Sequence, residues 1–311
     1  MKALHVCLKD YLELRRRLGF KLLGEASTLR DFVRFAEAES GPRITTALSL
    51  RWATRPTGCQ PARWAVRLSR LRLFARHVSA VDPHTQVPPP RLLPHCYRRT
   101  APYLYRDQEV RRLIAAARQW PSPKHLDAAT ASTLFGLLAV TGLRVAEARG
   151  LARSDVNLSQ ALLTVRQSKG QKTRWVPLHP STQQALQRYA RRRDRLCPHP
   201  VSPNFFVSAR GTGLTRAIVR AWFQRAAQRS DLRTPPEGRR PRLHDLRHRF
   251  AIRTLLGWYR TKKDVEAHLP ELATYLGHAH VASTYWYLTA TPELLQAAMR
   301  CWQRHEGGRG R

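Results

Sequence analysis

The segment "YLGHAHVASTYWY", residues 275–287, contains three tyrosines and two histidines within thirteen positions. Tyrosines in such a stretch usually pack in a core, because burying an aromatic ring stabilises a fold. A tyrosine hydroxyl and a histidine imidazole also donate hydrogen bonds and transfer protons. Which of these roles applies here depends on the groups that the rest of the chain supplies.

Three other short stretches concentrate cationic and proton-transferring side chains: "TGLRVAEARGL" (141–151), "SKGQKTRWVPL" (168–178) and "HDLRHRF" (244–250). In the first, Arg144 and Glu147 suit either a site or an ordinary surface ion pair at i, i+3. In the second, Lys169 lies in a predicted hairpin turn, where a lysine either merely flanks the glycine or protonates an alkoxide leaving group. Each stretch taken alone is a weak signal.

The third stretch allows two interpretations. On a helix His244 and Arg247 share one face, and a neutral donor beside a fixed guanidinium suits a phosphate oxygen. His244 and His248, at i and i+4, also resemble a zinc-binding pair. An arginine within the pair opposes a cation, and the sequence suggests no third ligand. We therefore expect a phosphate-binding function and no metal.

The 311-residue chain carries 55 Lys and Arg against 21 Asp and Glu, which gives a net charge of +34. Such an excess repels itself in a compact fold unless a polyanion compensates it, and this favours nucleic-acid binding over ribosomal or membrane-surface alternatives. The five cysteines form no CxxC pair, which argues against a disulfide framework and for a reducing compartment. Charges interrupt the first twenty residues, so we expect neither a signal peptide nor a membrane span.

The pattern of the chain predicts two domains. Helical periodicity covers about 3–22, 27–39, 46–54 and 61–80, and the last of these has an apolar face that should meet a core (Trp64, Leu68, Leu71, Ala75, Val78). A basic stripe follows another face of the same helix (Arg63, Arg67, Arg70); it is either a solvated surface or a set of phosphate contacts. We predict a helical DNA-binding domain at 1–82 and a proline-rich linker at 83–102.

The second domain, 103–311, is predicted to be mainly α with a small antiparallel β-sheet. "DQEVRRLIAAA" and "ATASTLFGLLAVTGL" read as helices, whereas "ALLTVRQ" and "TRWVPL" are β-rich runs around a turn. Near the end, Thr291 and Pro292 suit the start of a helix with an apolar face (Leu294, Leu295, Ala298, Met299, Trp302).

The joint order of these groups is Arg, Lys, His-x-x-Arg, His and Tyr, and in this order the stretches resemble the tyrosine recombinases, the phage integrase family. The matching stretches are "TGLRVAE", "SKGQKTRWVPL", "HDLRH", "LGH" and "STYWY". The resemblance covers residues 100–300 and implies the DNA breaking-rejoining fold preceded by a helical core-binding domain. In this family the nucleophile follows the histidine of LGH by nine residues. That spacing selects Tyr287 after His278, and leaves Tyr275 and Tyr285 as packing residues.

The resemblance implies that Tyr287 attacks a DNA phosphate and forms a 3′-phosphotyrosyl bond. Arg144, Arg247 and His278 would bind the phosphate, while Lys169 would protonate the leaving oxygen. His244 is the expected acid/base partner of the tyrosine, and Glu147 orients an arginine. Lys172 and Arg174, which follow Lys169, are further candidates for DNA contact.

The resemblance also implies partners and a setting. We expect double-stranded DNA as substrate, no cofactor, no metal, no ATP and no membrane. A homo-multimer, a tetramer in the synapse, would form through the C-terminal helix, which either docks on a neighbouring protomer or packs on its own domain. Related recombinases or accessory proteins of a mobile element are possible partners, and the expected location is the cytoplasm of a bacterium, at the nucleoid.

Three alternatives stay open on the sequence alone. A type IB topoisomerase shares the chemistry but relaxes supercoils at no defined site. A catalytically silent DNA-binding accessory protein of a mobile element would lack one of the reactive groups. A basic RNA-binding or ribosomal protein would need no nucleophile at this spacing.

Overall fold

The computed structural model describes residues 3–20, 22–39, 43–96, 102–120, 125–166, 173–232, 239–278, 280–288 and 291–307. The chain divides into two compact units, Met1–Arg99 and Thr100–Arg311. This division lies inside the proline-rich segment 83–102. None of the helices in the described part of the chain combines the length and the apolar character that crossing a membrane requires.

Four helices form the first unit: α1 (Leu4–Arg17), α2 (Leu23–Ala38), α3 (Thr46–Thr54) and α4 (Pro61–Ser79). The helix predicted for 3–22 ends at Arg17, because the chain turns at Gly19, whose φ of +85° is left-handed. The hydroxyl of Thr45 accepts the N–H of Leu48 at 3.1 Å and caps α3, while Pro61 occupies the first turn of α4.

The core of the first unit is built around Trp52, whose ring lies edge-on to Phe32 at 5.2 Å. The predicted apolar face of α4 lies largely in this core, where four of its members are buried (Leu68, Leu71, Ala75, Val78). The fifth, Trp64, is half-buried and donates its indole N–H to the carbonyl of Pro56.

The segment from 83 to 96 packs on the first unit. The backbone N–H of Gln86 donates to the carbonyl of Ile44 at 2.8 Å, and the side chain of Gln86 accepts the N–H of Thr46. Arg72 donates to the carbonyls of Pro88 and Pro89, each at 2.7 Å. These bonds hold the segment against the helices of the first unit.

The second unit contains α5 (Asp107–Arg118), α6 (Leu126–Thr141), α7 (Val145–Arg149), β1 (Val156–Asn157), β2 (Leu162–Val165), β3 (Arg174–Pro177), α8 (Pro180–Leu196), α9 (Arg216–Arg229), α10 (Asp245–Arg260), α11 (Val265–Leu276), α12 (Ala282–Leu288) and α13 (Pro292–Gly307). Helix α6 is buried along most of its length, since its residues are predominantly apolar on every face. It is the central helix against which α5, α8 and α10 pack.

The three strands form an antiparallel sheet in the order β1-β2-β3. Leu163 pairs with Val176 on the core face, and Val165 pairs with Arg174. The last helices have a separate core, in which Leu294 of α13 lies with Leu255 of α10 and Tyr287 of α12. The fold of the second unit is therefore mainly α with a small antiparallel sheet. Helix α10 packs against α6, which lies far from it in the sequence, and against α11 and α12.

Candidate active site

Arg144 stands at the start of α7, directly after the turn that ends α6. Gly142 closes α6 with a left-handed φ of +61°, and a Cβ at this position would lie 2.6 Å from a ring atom of Phe250. Glycine is therefore needed for both backbone conformation and packing. From this turn Arg144 donates to a carboxylate oxygen of Glu147 at 2.7 Å and to the carbonyl of Gly277 at 2.8 Å.

The buried carboxylate of Glu147 lies between two arginines. Arg174 donates to both of its oxygens, at 3.2 and 2.9 Å, and also donates its Nε–H to the carbonyl of Tyr275 at 2.7 Å. Burial by itself raises the pKa of Glu147, but the hydrogen bonds and charges of Arg174 and Arg144 outweigh it and hold the pKa below its usual value. The ionised carboxylate thereby fixes the orientation of both guanidinium groups.

Arg247 lies in the first turn of α10, and its side chain is only 2% exposed. It donates to the carbonyl of Gly142 at 2.8 Å and to the carbonyl of Leu276 at 2.7 Å. In the described part of the chain no carboxylate lies within ion-pair distance of it. Burial and the charge of Arg144 lower the pKa of Arg247 to about 10, so it stays charged at neutral pH.

Two histidines lie beside these arginines. His278 bonds through Nδ1 to the hydroxyl of Thr284 at 2.8 Å, and burial with the charges of Arg247 and Arg144 lowers its pKa to about 4. His244 is an exposed residue, yet partial burial of its imidazole and the charges of Arg247, Arg242 and Arg144 lower its pKa to about 4 as well. Both imidazoles are therefore neutral at physiological pH and can donate or accept a hydrogen bond.

Tyr287 projects from α12 into this cluster and is 3% exposed. Its ring is stacked with that of His278 at 6.1 Å and 17°, and contacts the rings of His248 and Trp286 at 5.5 and 5.4 Å. Burial raises the pKa of Tyr287, while the charge and hydrogen bond of Arg247 act in the opposite direction without cancelling it. The phenol is therefore protonated in the DNA-free protein.

The other two tyrosines of the segment 275–287 have different surroundings. Tyr285 is 45% exposed. Tyr275 is stacked with Phe250 at 5.4 Å, and burial raises its pKa to about 12 against the charge of Arg174. Of the three, Tyr287 is the one whose ring contacts His278 and whose hydroxyl receives a hydrogen bond from Arg247.

The structure thus brings together five of the predicted site residues in one cluster, with His244 at its edge (Arg144, Glu147, Arg247, His278, Tyr287). Lys169 and Lys172 lie outside the described residues. Arg174 is buried against Glu147 and faces the cluster, so its geometry fits support of that carboxylate better than DNA contact. The roles of all these residues stay predictions.

The three arginines of the basic stripe on α4 have different surroundings. Arg67 bonds Asp31 at 3.0 Å and stacks over the ring of Trp52, while Arg70 bonds the hydroxyl of Thr28 at 3.0 Å. Arg63 is exposed. A DNA contact stays a prediction for all three, and Arg63 has the geometry most suited to it.

Three residues outside the predicted site contact the cluster: His248, Thr284 and Trp286. His248 was weighed only as a metal ligand, and its ring lies 4.8 Å from that of His244. Within the described residues, no group of three or more histidine, cysteine or acidic side chains forms a possible metal site. The signal available for His248 was its place directly after Arg247 on the same helix.

Known proteins are similar to this chain in sequence and in fold. Residues 104–293 match the phage integrase family. The chain is 44% identical over 308 residues to the putative integrase/recombinase y4rB of Sinorhizobium fredii, with 98% of each chain covered. It is 31% identical over 204 residues to the tyrosine recombinase XerD of Ralstonia nicotianae, covering 60% of this chain and 62% of the relative.

Among solved structures, the fold is similar to that of a lambda integrase fragment, residues 75–356, crystallised as a dimer bound to a COC′ core site. The TM-score is 0.62 at 21% identity, with 92% of this chain and 95% of the other covered. The family match covers more than half of the sequence, and its span contains the arginine, histidine and tyrosine cluster. The chain therefore belongs to the phage integrase family, the tyrosine recombinases.

Proposed function

We propose that this chain cuts and rejoins DNA strands at specific sites through a 3′-phosphotyrosyl intermediate, as the integrase of a mobile element. One observation carries the proposal: the phenol of Tyr287 is held beside Arg247, Arg144 and His278 in a single cluster. A tyrosine needs nearby cations to act as a nucleophile, because the ordinary pKa of a phenol is about 10.

The two arginines have the donors that a phosphate requires. A guanidinium has five N–H donors, and Arg247 uses two of its hydrogen bonds on the carbonyls of Gly142 and Leu276. In the structure a remaining donor of Arg247 bonds the Tyr287 hydroxyl. When DNA binds, the remaining donors of Arg247 can bind the non-bridging oxygens of the phosphate in place of that hydroxyl. His278, neutral and fixed by Thr284, adds a further hydrogen bond as negative charge builds on the phosphate oxygens.

In the cleavage step the oxygen of Tyr287 bonds to phosphorus and the bond from phosphorus to the 5′-oxygen breaks. Lys169 would give the leaving oxygen its proton, and His244, at the start of α10, would take the proton of the phenol. Val165 and Arg174 flank the segment that contains Lys169, and Arg174 bonds Glu147 of the cluster. The reverse reaction, with a 5′-hydroxyl from a second duplex, reseals the strand and exchanges partners without ATP.

Exchange between two duplexes needs several protomers, and we propose that α13 links them. Leu294 packs in the core of its own domain, whereas three apolar residues of the same helix are exposed (Leu295, Met299, Trp302). Burying such a face against a second copy is favourable. The lambda integrase fragment of similar fold was crystallised as a DNA-bound dimer. A tetramer in the synapse, action at the bacterial nucleoid and the participation of accessory proteins are parts of the same proposal.

The test uses nicked duplexes tiled from the DNA that flanks this gene, incubated without added metal and resolved on denaturing gels. The nick lets the short leaving strand diffuse away and traps the covalent adduct. We expect an adduct with the wild type and with Tyr285→Phe, whose ring is exposed, and none with Tyr287→Phe. An adduct that persists in Tyr287→Phe would refute the assignment of the nucleophile, and DNA binding without any adduct would favour an accessory protein.

A further inference from the structure

His248 lies at the centre of the aromatic contacts around the nucleophile. It follows Arg247 on α10, and its ring lies 4.8 Å from that of His244, 5.2 Å from that of Trp286 and 5.5 Å from that of Tyr287. The ring contacts of Tyr287 in the described part of the chain include His248 and His278 but not His244. His248 is therefore closer to the phenol than the histidine that the sequence favours as its acid/base partner.

The Nδ1 atom of His248 is buried and has no hydrogen-bond partner among the described residues. Leaving a polar nitrogen unpaired in a protein interior destabilises the fold, and a phenylalanine or leucine would fill the same place without that cost. The unpaired nitrogen therefore indicates a use for the imidazole beyond packing.

The groups around His248 keep its imidazole unprotonated. Arg247 faces it from α10, His244, Arg242 and Arg239 from the segment just before α10, and Tyr287 from α12. Burial, with the cations among these groups, lowers the pKa of His248 to about 3, so the imidazole is neutral at physiological pH. A DNA phosphate bound between the arginines would offset their charge and make the imidazole more basic.

We propose that His248 accepts the phenolic proton of Tyr287 during strand cleavage and returns it during resealing. The inference rests on the proposed function and replaces His244 in that role. As the bond from Oη to phosphorus forms, the Oη–H bond breaks and the proton moves to Nδ1. The bond from phosphorus to the 5′-oxygen breaks at the same time, and that oxygen takes its proton from Lys169, the leaving-group acid of the proposed function. His244, at the exposed edge of the site, remains available to the phosphate.

The experiment measures single-turnover adduct formation on the nicked duplex across about pH 5 to 9. The variants are His248→Phe and His248→Gln, with His268→Gln as control, since the described contacts of His268 are Glu271 and Trp258. Each protein is also given a duplex whose scissile 5′-oxygen is replaced by sulfur. A thiolate leaves without being protonated, so this substrate isolates the proton that departs from Tyr287.

We expect both His248 variants to bind DNA normally but to cleave roughly 10² to 10⁴-fold more slowly, the range that general acid–base catalysis contributes. Their rate should rise with pH, because at higher pH the phenol ionises without a base. Sulfur substitution should not restore them, and His268→Gln should behave as the wild type.

Three results would overturn the inference: wild-type cleavage by His248→Phe, a slow rate that does not change with pH, or rescue by the sulfur substrate. The second would make His248 a packing residue and the third a leaving-group acid. His248→Gln keeps the size and polarity of the site, so it gives the same answer if His248→Phe fails to fold. If the wild type forms no adduct at all, the proposed function itself fails, and that result is distinct from any of the three.

Discussion

Two arginines with little exposed surface, one in each unit, differ in whether a carboxylate among the described residues pairs with them. Arg67 in the first unit is 15% exposed, bonds the carboxylate of Asp31 and stacks over the ring of Trp52. Arg247 in the second unit is held by the carbonyls of Gly142 and Leu276. A carboxylate cancels the charge of a guanidinium, whereas carbonyl dipoles orient it and leave the net charge in place.

We infer that this difference separates an arginine that stabilises the fold from one whose charge is available to bind an anion. Asp31 pairs with the charge of Arg67 inside the first unit, so a phosphate would have to compete with that carboxylate. Arg247 has the neighbouring charge of Arg144 as well, and that repulsion favours a bound anion. The net positive charge of the sequence therefore does not measure how many arginines can bind DNA. Some arginines, such as Arg67, are already paired with a carboxylate.

The largest expected effect is a loss of DNA cleavage when Arg247, but not Arg67, is replaced. Arg247→Gln should slow adduct formation by roughly 10² to 10³-fold, the loss seen when one donor to a developing oxyanion is removed. Arg67→Gln should leave the cleavage rate unchanged and lower the free energy of unfolding by about 1 to 3 kcal/mol, because it breaks partly buried hydrogen bonds. Single-turnover cleavage and chemical denaturation measure the two quantities.

Cleavage by Arg247→Gln within tenfold of the wild type, with its DNA affinity unchanged, would break the comparison. So would a cleavage defect in Arg67→Gln that persists when the protein is fully folded.

A pair of glycines tests the packing around the cluster. Gly277 has φ +67°, and a Cβ there would lie 2.7 Å from Nη1 of Arg174; Gly58 has φ +66° with no atom within 4 Å of such a Cβ. Gly58→Ala should cost about 1 kcal/mol, from backbone strain alone. Gly277→Ala should cost more, within the range of about 1 to 3 kcal/mol, and should also slow cleavage by moving Arg174 away from Glu147.

Thermal unfolding and cleavage assays on both variants provide the measurement. Equal destabilisation by the two substitutions would mean that the contact with Arg174 adds nothing to the strain at Gly277.

Much of the fold could be predicted from local pattern. Helices α3 and α5 match the predicted bounds closely, and both strands of the hairpin lie within the predicted runs, because alternation and capping are properties of neighbouring residues. The first helix was predicted five residues too long, since its apolar periodicity continues past Gly19, where the left-handed turn ends it.

The candidate site was predictable to the extent that its motifs have a recognisable order. That order alone predicts that Arg144, Arg247 and Tyr287 lie in one site. The partners of Arg174 and Arg67 could not be predicted: Arg174 meets Tyr275 across a hundred residues of chain, and Arg67 meets Asp31 and Trp52 from other helices. Such contacts depend on tertiary packing, which a periodicity in one helix does not encode.

The two carboxylates that pair with these arginines should contribute differently to acid stability. Burial raises the pKa of each, but arginine hydrogen bonds outweigh it for Glu147, and those of Trp52 and Arg67 outweigh it for Asp31, so both pKa values are lowered. A carboxyl with a lowered folded-state pKa stabilises the protein above its ordinary pKa, and the stabilisation disappears as pH falls through the folded-state value. Asp31 is half-exposed, so solvent screens its contribution.

We therefore expect wild-type unfolding temperatures to fall as the pH drops below about 4.5, the ordinary value for Glu147. Glu147→Gln should flatten that dependence clearly, and Asp31→Asn only slightly. Calorimetric melting from pH 3 to 7 would measure both, and a larger effect from Asp31→Asn would reverse the order of burial on which the expectation depends.

The smallest effect concerns Arg63, the exposed member of the stripe on α4. If it contacts a phosphate, Arg63→Gln should reduce the slope of log K against log[salt] by about 0.9, the value for one neutralised phosphate on duplex DNA. Arg67→Gln should leave the slope unchanged, because the charge of Arg67 is already paired with Asp31. Equal slopes for the wild type and both variants would place the DNA contacts of the first unit on another face. A change confined to Arg67→Gln would mean that the ion pair with Asp31 opens when DNA binds, and that a carboxylate partner does not remove an arginine from DNA recognition.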